Sequence, residues 1–104
     1  MNPDTITSFT RVMFFMYILT SIRTGRFYIG YTTDINNRLK EHNSGLVKST
    51  KAYMPYHCVY YEAYRSKGDA VTREQNLKLR ARALRQLLLR IQESTGVTAK
   101  ARLV

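Results

Sequence analysis

The sequence predicts a small α+β domain, a three-stranded antiparallel sheet flanked by helices in the order ββαβα(α). Three observations carry this expectation. Three short runs, residues 12–19, 26–31 and 57–64, are rich in aromatic and β-branched residues and are bounded by turn signals. Two other segments show helical spacing behind N-cap residues. With 104 residues and 44% hydrophobic content, the chain is large enough for one core and too small for two.

The first run, "VMFFMYIL", is too short for a buried helix and reads as a central strand. Residues 20–25 form a turn punctuated by Gly25, and residues 26–31 return as the second strand of a hairpin. If pairing centres on Ile22–Arg23, Tyr17 faces Tyr28. Thr32-Thr33-Asp34 then supply N-cap residues for a short helix over 35–43, closed by Gly45. A polar loop over 44–56 leads into the third strand, "HCVYYEAY". Ser66 and Asp69 are spaced as a capping box, and the helix they open reaches residue 93 as one piece or two. Gly96 ends it. The expected organisation is a loose leader over 1–11, one domain over 12–95 and a frayed tail over 96–104.

Composition narrows the function. Seventeen Lys and Arg against seven Asp and Glu give a net charge of +10, which attracts polyanions, nucleic acid first among them. Cys58 stands alone, so neither an internal disulfide nor a cysteine-based zinc cluster is available, and His42 and His57 fit no zinc spacing. The apolar run falls short of the roughly 18–20 residues that span a bilayer, and the start lacks the basic residues of a secretory signal. A cytoplasmic protein without a membrane partner is expected. Glycine-rich phosphate loops, Ser/His/Asp sets and paired carboxylates are absent from the sequence.

Some residues remain that packing alone does not explain. Ile35, Leu39 and His42 share a helix face flanked by Arg38. In the last helical segment, Ala70, Glu74, Leu77, Ala81, Leu84, Leu88 and Ile91 form an inward stripe in which Glu74 is the one charge. A core-facing carboxylate is costly unless paired, so it holds either an arginine such as Arg38 or a hard cation. The rest of that helix carries Arg73, Lys78, Arg80, Arg82 and Arg85, which with Lys48 and Lys51 of the loop are candidate phosphate contacts.

These residues lie in "MYILTSIRTGRFYIGYTTDINNRLKEHNSG" and "VYYEAYRSKGDAVTREQNLK", and the chain resembles the GIY-YIG nuclease superfamily, in its small single-domain bacterial branch. The resemblance implies phosphodiester hydrolysis with one divalent ion, Mg²⁺ with Mn²⁺ as the alternative. Tyr17 and Tyr28 match the two signature tyrosines, Gly30 the glycine and Arg38 the helix arginine. His42 stands where members carry tyrosine or histidine, and Glu74 matches the metal-binding glutamate. Two departures stand out: the first signature reads Phe15-Met16-Tyr17, and Tyr31 replaces a lysine found in some relatives.

The expectation is an endonuclease acting on DNA more than RNA and reading structure more than sequence. The alternative is a basic nucleic-acid-binding module without catalysis. A phenol working as a base near neutrality needs its pKa lowered by about three units, and Tyr17, Tyr28 and His42 all remain candidates. The resemblance also implies targeting by nucleic-acid structure, a partner protein or self-association.

Overall fold

The structure, a computed structural model, describes residues 13–96 and 102–104. The expected leader over 1–11 and the start of the first run lie outside the described residues. Strand β1 (Phe14–Ser21) is central, with β2 (Phe27–Thr32) and β3 (Tyr56–Tyr64) antiparallel on either side. Helix α1 (Ile35–Asn43) follows β2. A single 3₁₀ turn (Lys51–Tyr53) precedes β3, and three helices close the order, α2 (Lys67–Leu79), α3 (Ala81–Arg90) and α4 (Gln92–Thr95).

Alternation along the strands splits the interior into two cores. Met16, Ile18, Phe27 and Ile29 bury one face of the sheet against Leu77 of α2 and Leu87 of α3. Tyr17, Leu19 and Tyr56 bury the other, with Ile35 and Leu39 of α1 packed on them. Helix α1 covers this second face because its apolar residues are i and i+4, and Asp34 caps it by accepting the Asn37 amide at 3.0 Å.

Four expectations are corrected. The hairpin register is shifted by two residues, so Tyr17 stands opposite Gly30 and Leu19 opposite Tyr28. The turn is centred one residue later than expected. Ser21 N donates to Arg26 O at 2.7 Å, and Gly25 adopts φ 74°, which only glycine takes cheaply. A slip of two leaves every side chain on its expected face.

The inward stripe expected over 70–91 is not continuous, because the helical segment, expected as one piece or two, breaks at Arg80, whose φ −119° and ψ 97° are extended. An unbroken helix over 67–90 would be about 36 Å long, against about 20–30 Å for strands of this length. The break folds Leu84, Leu87 and Leu88 back onto the first core. The phase of the stripe resets there, leaving Ala81 exposed and Leu87 buried.

Ser66 takes the N-cap position of α2, but its hydroxyl makes no cap hydrogen bond, so the capping box is not formed. The tail is also not frayed at its end. Phe27 N donates to Arg102 O at 3.0 Å and Val104 N to Phe27 O at 2.8 Å, a parallel bridge on the outer edge of β2. Residues 97–101 of that tail lie outside the described residues.

Candidate active site

The register places the two tyrosines diagonally. A Cβ on Gly30 would lie 2.4 Å from both Cζ and Oη of Tyr17, so the phenol occupies the space a side chain would need. Gly30 is therefore the bed on which Tyr17 lies. Tyr28, two residues earlier on the same face, brings its ring centroid to 6.2 Å from that of Tyr17. His42 of α1 closes the group at 6.0 Å from Tyr17 and 5.0 Å from Tyr28.

The histidine is fully buried and bonded at both nitrogens. Nε2 is 2.9 Å from the Tyr17 hydroxyl, and Nδ1 is 2.7 Å from Oγ1 of the equally buried Thr50. Thr50 donates its own proton toward Val47 O at 3.4 Å, so Oγ1 accepts from Nδ1–H and Nε2 accepts the Tyr17 proton. Burial, then the charge of Arg38, push His42 down to about 4. Burial likewise raises Tyr17 to about 12, outweighing the opposing pull of Arg38. The expected lowering of the phenol is thus corrected for Tyr17. In this arrangement it is a held hydrogen-bond donor, not a phenolate.

Arg38 stands beside Tyr17 at the solvent boundary, its side chain 32% exposed and its Nη1 3.6 Å from Glu41. Burial works against its charge, but the Tyr17 phenol and Glu41 more than offset this and its pKa goes up. Glu74 approaches from the other side of the sheet. Among the described residues it pairs with neither Arg38 nor any other arginine; its Oε1 binds Lys78 Nζ at 2.6 Å, one helical turn on. That ammonium sits 5.3 Å from the centroid of the Tyr28 ring, reaching round the edge of β2. Helix α2 and the tyrosine face are thereby joined at Tyr28.

Among the described residues no group of three or more His, Cys, Asp or Glu side chains could hold a metal. The donor set still fits a hard divalent ion. Mg²⁺ is held by one or two carboxylates and keeps several waters, and the carboxylate of Glu74, 15% exposed, already carries a cation. For an ion to take that place, Lys78 must release it.

The remaining site candidates separate. Lys48, Lys51, Arg80, Arg82 and Arg85 are exposed. Arg73 is not free for phosphate. Its Nε and Nη2 donate to the two Glu62 oxygens at 2.9 and 3.1 Å, and Tyr60 and Tyr64 also donate to that carboxylate. Tyr31 stands opposite Met16, on the face away from Tyr28.

One residue escaped the sequence, and Lys78, expected as a phosphate contact, is instead paired with Glu74. Thr50 gave no signal, because only the folded loop brings it under His42, where its carbonyl also accepts the Tyr56 hydroxyl at 2.7 Å. Lys78 did give one. Its i+4 spacing from Glu74 is the favourable Glu-to-Lys orientation on a helix.

A family model described as "GIY-YIG catalytic domain" matches residues 13–87. A UPF0213 protein of Streptococcus pneumoniae serotype 4 is 39% identical, the match covering 80% of this chain and 94% of that protein. The UPF0213 protein SAV0488 of Staphylococcus aureus strain Mu50 is 38% identical over 73% of this chain and 93% of its own. The solution NMR structure of the UPF0213 protein BH0048 from Bacillus halodurans is 29% identical, covers 86% of this chain and 98% of that one, and gives a TM-score of 0.48. No helix among the described residues is long and apolar enough to cross a membrane.

Proposed function

Because the chain belongs to the GIY-YIG catalytic-domain family, a family of nucleases, we propose that it is a divalent-metal-dependent endonuclease that hydrolyses DNA phosphodiester bonds. The observation that carries this reading is the convergence on Tyr28. The Tyr17–His42–Thr50 network meets it from one side, and the Glu74–Lys78 pair meets it round the strand edge.

In this reading Arg38 holds the non-bridging phosphate oxygens, its planar fork matching their geometry. Glu74 would hold the ion, which when bound supplies positive charge against the phosphate and the leaving oxygen. Attack forms a bond from water oxygen to phosphorus as the bond to the leaving oxygen breaks, and the proton of that water must be taken up. Tyr17 takes it on oxygen while passing its own proton to His42 Nε2, so a free phenolate never forms. Thr50 keeps Nε2 open by holding the Nδ1 proton. Tyr28 and Gly30 fix where the Tyr17 ring lies.

The test is incubation of the protein with branched, flapped, single-stranded and duplex DNA, with Mg²⁺ or with EDTA. Cleavage is expected with Mg²⁺ alone and is expected to vanish in Glu74→Ala. Cleavage that persists in EDTA or in that variant overturns the proposal.

A further inference from the structure

Helix α1 covers only part of its face of the sheet. Phe15 and Tyr61 project on the same face as Tyr17, since Tyr17 pairs with Tyr61 and Phe15 lies two residues before it. Neither belongs to the core beneath α1. Their rings meet edge to face with centroids 5.8 Å apart, and Tyr61 is 56% exposed. Two open grooves of about 450 and 370 Å³ adjoin at this point, sharing Ile35, Asn36 and Tyr61 as walls. Ala63, the partner of Phe15 across the ladder, adds only a methyl group beside the pair. Phe15 also fills the first position of the signature tripeptide, where the superfamily pattern has glycine.

We propose that Phe15 and Tyr61 form a stacking subsite for an unpaired nucleobase of the strand bound at Tyr17, Tyr28 and Arg38; this rests on the nucleic-acid reading above. Three features favour a base over other occupants. The net charge of +10 draws a polyanion to the molecule. An aromatic pair on a sheet, its Tyr61 ring exposed and its Phe15 ring half-buried behind it, offers a π face to a base without regard to its identity. The exposed amide of Asn36 lies on the wall of both grooves, within reach of polar base edges. A base stacked on Tyr61 sits one strand away from Tyr17, so its own phosphate is delivered to the site. A duplex, with its bases stacked inside, cannot use the platform.

The experiment compares two fluorescein-labelled strands of equal length and charge, oligothymidine and a base-free deoxyribose-phosphate strand. Binding is followed by anisotropy in EDTA, with strand integrity checked on a gel. The wild-type protein is expected to favour oligothymidine by ten-fold or more. Tyr61→Ala, at an exposed position, and Phe15→Ala are expected to bind both strands equally, and Tyr61→Phe to keep the preference. Equal binding of the two strands by wild type, or an undiminished preference in Tyr61→Ala, removes the subsite and leaves the nucleic-acid reading standing. Failure of wild type to bind either strand overturns both. Concentration-dependent self-association lost in Tyr61→Ala would assign the face to a second copy and overturn the proposal.

Discussion

At the residue scale, Gly30 has no room for a side chain. Alanine there must displace a Tyr17 ring that is 1% exposed, because the new methyl would fall 2.4 Å from its Cζ and Oη. Gly30→Ala is expected to cost about 1–3 kcal/mol and to abolish cleavage by moving the phenol, as read by thermal melting and a nuclease assay. The tyrosine and histidine act as one unit, so Tyr17→Phe, His42→Gln and the double variant should lose similar amounts of kcat; additive losses would argue against the relay.

His42 also sets a pH dependence. Its pKa is about 4 in the folded protein against the ordinary 6.5 of a histidine, so the unfolded chain binds the extra proton first as pH falls. Stability is complete above pH 6.5 and is lost progressively down to pH 4, by about 3 kcal/mol. Urea melts between pH 4 and 8 should show that loss, and His42→Gln should flatten it. Tyr17, Tyr28, Arg38, His42 and Glu74 could be named as candidates from sequence because each is a chemical type at a position of the resembling motif. Their protonation was not legible, because it depends on burial, which here raises Tyr17 where proximity to Arg38 alone would lower it.

At the scale of elements, the strands and α1 were legible to within a residue or two because hydrophobic alternation and cap residues are local signals. Pairing register was not, since it turns on whether Ile22–Arg23 or Arg23–Thr24 lies at the centre of a loop without an Asn-Gly or Asp-Gly signal. The break at Arg80 was equally silent: neither Gly nor Pro marks it, and the demand comes from the far side of the core. Glu62 and Arg73 show the same limit, since a phosphate-binding expectation from a basic helix gave way to a clamp between β3 and α2. Burial opposes the Glu62 charge, but Arg73 and the Tyr64 and Tyr60 hydroxyls prevail and hold its pKa down. Arg73→Met is expected to lower stability by about 1–3 kcal/mol, since it strips a partly buried carboxylate of its partner. It should leave the metal dependence of cleavage unchanged, because the clamp lies on the face opposite Tyr17. Paired melting and cleavage measurements separate the two effects.

At the scale of the whole molecule, the positive charge is divided between the two sides of the sheet. Lys48 and Lys51 flank Thr50 in the loop that supports His42, and both are exposed. Arg82 and Arg85 are carried by α3, whose Leu87 is buried in the opposite core. A strand lying along the Tyr17 face passes the loop lysines and Arg38, and it meets α2 only at the β2 edge, where Lys78 stands over Tyr28. The arginines of α3 are then long-range charge and not contacts. Each phosphate contact contributes roughly one to the slope of log K against log salt, whereas distant charge mainly affects the rate of encounter. Lys48→Ala with Lys51→Ala is expected to reduce the slope for single-stranded DNA by about 1–2. Arg82→Ala with Arg85→Ala should leave that slope within error and slow association at low salt, measured by titration and stopped-flow anisotropy from low to moderate ionic strength. The reverse pattern would place the strand across α3 and detach it from the Tyr17 face.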